Sequence, residues 1–123
     1  MPGPRGRHRW RGGRGPQRGQ IARLLEPCLL ILLQEGPRHG YDLIAALARF
    51  GLEPGLLDSG LVYRALRQME EAAWISSTWE IATSGPARRV YSLTPAGRQA
   101  LAAWREELGR THDVLHKLLG PDP

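Results

Sequence analysis

A mainly α-helical fold with one small β-hairpin, closed by a long C-terminal helix, is what this sequence predicts. Three observations carry that prediction. Apolar residues recur at helical spacing in four separate stretches. Between the third and the fourth the period switches to strand-like alternation for two short runs. Glycine, proline, aspartate or threonine stands where each helix must start or stop.

The first stretch holds Ile21, Leu24, Leu25, Cys28, Leu29, Leu32 and Leu33, a broad apolar stripe that Gly36 and Pro37 terminate. His39, Gly40, Tyr41 and Asp42 open a second helix, with Leu43, Ile44, Leu47 and Phe50 on the expected buried face and Gly51 at its end. The third helix begins at Asp58 or Ser59, either of which can cap it, and runs to about Ala73. Leu61, Val62, Leu66 and Met69 form its apolar stripe, while Tyr63, Arg64 and Arg67 point elsewhere.

From Trp74 to Ile81 the residues alternate, Ile75, Trp79 and Ile81 against Ser76, Thr78 and Glu80, as in a half-buried strand. Turn residues follow at 83–86, and residues 88–93 read as the returning strand. Thr94 and Pro95 then supply a cap and a first helical residue whose missing N–H costs nothing. The last helix runs to about Leu119. Helix, helix, helix, hairpin, helix is the order of a winged helix-turn-helix, placed at residues 20–93, with a C-terminal helix at 94–119 and a short tail at 120–123.

Charge is unevenly distributed. The net charge is +5, yet residues 1–20 hold six arginines and no acid, which leaves the remainder nearly neutral. Residues 1–19, mostly glycine, proline and arginine, read as a disordered basic arm able to add sequence-independent affinity for a polyanion. The single cysteine excludes a disulfide framework and a cysteine zinc site. The longest apolar run falls far short of a membrane span, and the arginine-rich N-terminus lacks the apolar core of a secretory signal. A cytoplasmic protein with no membrane partner is expected.

In a winged helix-turn-helix the third helix enters a major groove, where arginine can donate two hydrogen bonds to a guanine edge. Double-stranded DNA is thus the expected partner, with Tyr63, Arg64, Arg67 and Gln68 as its contacts; the same face could equally be a solvated one. Arg88 and Arg89, just past the hairpin tip, can reach a minor groove or a phosphate, or can serve only as solubilising charge. His39 and Tyr41 stand at the start of the second helix, where backbone amides can hold a phosphate, though both also suit a capping or core role.

Leu101, Trp104, Leu108, Leu115 and Leu118 form a seam along the last helix, broken only by Thr111. Roughly 25 residues of helix span about 37 Å, more than so small a body can cover. A second copy of the chain is the simplest cover, and a two-fold dimer would read a palindromic operator. Trp104, with Leu108 beside it, could stack on a flat apolar effector between the long helices, or sit in a core. His112 and His116 share a face but have no third ligand nearby in sequence, so no metal and no other cofactor is expected. No catalytic constellation occurs: there is no nucleophile elbow, no histidine pair with an intervening glutamate and no phosphate-binding loop, so the chain is not expected to be an enzyme.

Three segments together resemble the PadR family of bacterial transcriptional regulators: Leu33-Gln-Glu-Gly-Pro-Arg-His-Gly-Tyr-Asp-Leu, Gly60-Leu-Val-Tyr-Arg-Ala-Leu-Arg-Gln-Met-Glu, and Gly85-Pro-Ala-Arg-Arg-Val-Tyr-Ser-Leu-Thr-Pro-Ala-Gly. In order and spacing they span about residues 21–119. The short C-terminal part resembles the compact subgroup that dimerises through its last helix and its first, which implies an interface of Ile21, Leu24 and Leu25 with the seam above. The resemblance implies a homodimeric, usually repressing regulator that leaves its operator when a small effector binds. It carries DNA contact onto Tyr41, Tyr63, Arg64, Arg67, Arg88 and Arg89. Family members commonly have threonine where Leu61 stands, and Ser59 is placed to supply that hydroxyl instead. The alternative function is a helical protein-interaction module whose basic arm binds RNA non-specifically.

Overall fold

The computed structural model describes residues 16–52, 57–81 and 85–121, with backbone alone for 16–22. Its elements are α1 (Pro16–Gln34), β1 (Arg38–His39), α2 (Gly40–Ala46) continued by a 3₁₀ turn (Leu47–Phe50), α3 (Ser59–Glu71), β2 (Ile75–Glu80), β3 (Arg88–Leu93) and α4 (Pro95–Leu119). The winged arrangement expected from the sequence is present, with a mostly helical chain and a long terminal helix.

α1 is the central element. Leu25, Leu29, Leu30, Leu32 and Leu33 are buried, and the helix packs against α2, α3, β3 and α4. Such a stripe is wide because the helix is covered on several sides. It starts at Pro16, so residues 16–19, assigned from composition to the arm, belong to its first turns, while residues 1–15 lie outside the described part. Gly36 leaves the helix with φ 147°, and Glu35 accepts hydrogen bonds from Arg38 at 3.0 Å and from both terminal nitrogens of Arg49. Those guanidiniums, Arg49 first, hold the Glu35 carboxyl below its ordinary range and tie the end of α1 to the 3₁₀ turn.

Two expectations for this region change. Phe50 is exposed, because the 3₁₀ turn tightens the last residues of the second helix and carries its ring outward, where the Arg49 guanidinium lies 5.8 Å from its centroid. The hairpin is also incomplete as a description of the sheet. β1 adds a third strand in the order β1-β3-β2, with Arg38 opposite Tyr91 and His39 opposite Val90.

β2 and β3 pair antiparallel from Ile75 with Leu93 to Glu80 with Arg88. Ile75 and Tyr91 are buried at the base, but Trp79 is 63% exposed and Ile81 lies open beyond it. The alternation of β2 is real; its outer half projects past the core, so no apolar layer covers the inward face there. At the other end, Thr94 accepts the Gly97 N–H at 3.0 Å and donates to the Ala73 carbonyl at 2.6 Å, so one hydroxyl caps α4 and joins it to the end of α3.

Leu25 and Leu101 correct the expected dimer surface. Each is 1% exposed inside the chain's own core, where α1 meets α4, and neither is available to a second copy. Leu24 remains exposed, and the side chain of Ile21 lies outside the described part.

Candidate nucleic-acid interface

α3 is oriented by one buried face. Val62, Ala65, Leu66 and Met69 are buried, and the Asp58 carboxylate accepts the Gly60 N–H at 2.9 Å to cap the helix. With that face fixed, helical geometry turns Ser59, Tyr63, Arg64, Arg67 and Gln68 outward, and all five are exposed. Glu70 is set apart from them: it is half-buried and accepts a 2.6 Å hydrogen bond from Ser77.

Tyr63 reaches across to α2. A Cβ placed on Gly40 would lie 2.8 Å from its Cε1 and 3.1 Å from its hydroxyl oxygen, so the ring rests on the bare backbone that opens α2. Tyr41, in the first turn of α2, is 76% exposed. The two tyrosines therefore flank the start of one helix. Tyr91, in the middle of β3, lies behind this surface; burial raises its phenol above the ordinary value, against a smaller opposing influence from Arg89. Glu70, Tyr63 and Arg67 act on the same phenol more weakly, so side chains of α3 and the wing converge on it.

His39 stands at the start of the second helix, as the sequence places it. It caps α2 from the two-residue β1, and its ring nitrogens meet Asp42 Oδ2 at 3.3 Å and Glu80 Oε1 at 2.9 Å. Both nitrogens are used within the protein, between carboxylates that oppose a phosphate, so His39 braces α2 against the wing. Arg88 and Arg89 are exposed on β3. Among the described residues no ion pair involves Arg64, Arg67, Arg88 or Arg89.

The surface thus combines a helix whose outer face is tyrosine, arginine and glutamine with an arginine-bearing wing. Sequence reasoning missed Ser77 and Trp79 as parts of it. Both sit on the β2 face that points toward Arg89 and Tyr91, a relation visible only from the register of the hairpin.

On another side of the molecule a cavity of about 390 Å³ opens between α1 and α4, lined by Leu24, Trp104, Leu108, Thr111 and Leu115 among others. It brings together the two residues, Trp104 and Leu108, singled out for an effector. His112 and His116 stack with centroids 6.5 Å apart, and no cluster of three metal-ligating side chains occurs among the described residues. No helix there is long and apolar enough to cross a membrane.

The family model of the transcriptional regulator PadR-like family matches residues 29–103, from the middle of α1 to the first turns of α4. The chain belongs to the PadR-like family. A probable transcriptional regulator of Mycobacterium tuberculosis is 31% identical over 86 residues, which are 68% of this chain and 44% of that protein, so the chain spans under half the length of this relative. The fold matches a PadR-like transcriptional regulator of Bacillus cereus with a TM-score of 0.72 at 24% identity, over 85% of this chain and 99% of the other. It also matches Bacillus subtilis PadR, solved in complex with operator DNA, with a TM-score of 0.58 at 23% identity, over 66% of this chain and 46% of that one. The PadR-like family is one of regulators and not of enzymes.

Proposed function

We propose that this PadR-like chain is a homodimeric transcriptional repressor that binds a palindromic operator and leaves it when a small molecule binds. The observation that carries the reading is the outer face of α3: Tyr63, Arg64, Arg67 and Gln68 stand exposed on a helix whose opposite face is wholly buried. A helix held so firmly can present guanidiniums to base edges at a fixed depth in a major groove. Ser59 at the start of α3 and Tyr41 in the first turn of α2 add to that surface, and Arg88 and Arg89 add wing contacts to the phosphates.

The second copy is supported by α4, whose outer half leaves Val114, Leu115, Leu118 and Leu119 exposed. Trp104 and Leu108 line a cavity beside that stripe, which suits an apolar effector whose binding would alter the spacing of the two α3 helices. The reading is tested by mixing the purified chain with a duplex from its own upstream region and with random duplex of equal length. It expects tighter binding to the first and a steep loss of affinity as salt rises. Equal binding to both duplexes contradicts it.

A further inference from the structure

Arg89 is held on two sides. Its Nε–H donates to Ser77 Oγ at 2.8 Å, and the Ser77 hydroxyl donates in turn to Glu70 Oε2 at 2.6 Å. The guanidinium lies 5.3 Å from the centroid of Trp79, its directly opposed partner across the β2–β3 ladder. Trp79 remains 63% exposed, so the ring is a poor contributor to the core but a good platform for a cation.

We propose that Glu70, Ser77 and Trp79 are positioning residues that fix Arg89 as a phosphate clamp, locking the wing to α3 so that both dock on DNA as one rigid unit. The chemistry follows from the guanidinium fork. With Nε committed to Ser77 and one face covered by indole, the edge carrying the two terminal nitrogens is presented for two parallel hydrogen bonds to a phosphate. An unrestrained arginine would lose its rotamer freedom on binding; here that ordering precedes the encounter. The direction of the bonds, arginine to serine to glutamate, places the carboxylate at the inner end, away from the phosphate it would repel. Glu70 belongs to α3, which makes the clamp a mechanical link between the groove-reading helix and the wing.

This inference rests on the reading that the wing meets DNA, but phosphate contact needs no operator, so random-sequence duplex at low salt serves as the probe. Arg89→Ala should weaken binding about tenfold or more, since even one charge-assisted hydrogen bond is worth that much, and reduce the salt slope by about one. Arg89→Lys should restore the slope without restoring affinity. Ser77→Ala and Trp79→Leu, both at sites outside the buried core, should each weaken binding in the native background and add nothing once Arg89 is alanine. Equal losses in both backgrounds, or none in either, would overturn the positioning role. If Arg89→Ala leaves affinity and slope unchanged while Arg64→Ala weakens binding to the upstream duplex, the clamp is refuted and the α3 reading stands. Absence of binding by the native chain would refute both.

Discussion

Gly97, in the first turn of α4, lies directly against the backbone carbonyl of Trp74 at the junction of α3 and β2. A Cβ built on Gly97 would fall on that oxygen and 2.6 Å from Leu93 Cδ1. The same carbonyl accepts the Thr94 N–H at 3.1 Å. The long helix is therefore seated on the segment that joins the proposed reading helix to the wing, without an intervening side chain. A shift of α4 would be felt at α3 directly, which gives a cavity beside α4 a physical route to the exposed face of α3.

Gly97→Ala should destabilise the chain by about 3 kcal/mol or more, since the opposing atom is backbone and cannot rotate away. Denaturant titration checks this, and a loss within the error of the native value would mean that α4 does not sit as close as described.

At Gly40 the outcome should differ, because the atoms a methyl would meet belong to the mobile end of Tyr63. Gly40→Ala should leave a folded protein, destabilised by about 1 kcal/mol, with Tyr63 displaced from the start of α2. Binding to the upstream duplex should fall together with that displacement. Unchanged binding would separate the position of Tyr63 from DNA recognition.

These two glycines show where sequence reading reaches its limit. α3 and α4 were legible to within a residue or two because cap and apolar spacing agree: Asp58 with Val62, Leu66 and Met69, and Thr94-Pro95 with Leu101. β1 was not legible, since two residues carry no period and exist as a strand only by pairing with Tyr91 and Val90. Leu25 and Leu101 looked like dimer residues for a related reason. Spacing places a leucine on a face but does not say whether that face meets its own chain or another. The exposure of Trp79 and the engagement of His39 by Glu80 depend on how far the wing projects and on contacts distant in sequence.

Cys28 is half-buried, and burial pushes its thiol up to about 11 from 9.0. At pH 8 the thiolate fraction should be about a hundredfold below that of an ordinary cysteine. Alkylation by iodoacetamide should be correspondingly slow in the native chain, quicken as pH rises toward 11, and become fast at pH 8 in denaturant. Equal rates for native and denatured protein at pH 8 would show that Cys28 is not shielded by α1 packing.

The outer half of α4 supplies the dimer prediction. Leu115→Glu with Leu118→Glu adds charge to a stripe that contributes no buried residue to the chain's own core. The double variant should keep its thermal transition at high dilution but change from dimer to monomer by light scattering at micromolar concentration. A native chain that is already monomeric there would contradict the two-fold arrangement.

The central claim is that the outer face of α3 reads base edges. The most direct measurement is the affinity of Arg64→Ala for the upstream duplex and for random duplex, at the same salt concentration as the native chain. A loss of about 1–3 kcal/mol on the upstream duplex, with a much smaller loss on the random one, is the predicted result. Equal losses on the two duplexes, or none on either, would contradict base reading by Arg64.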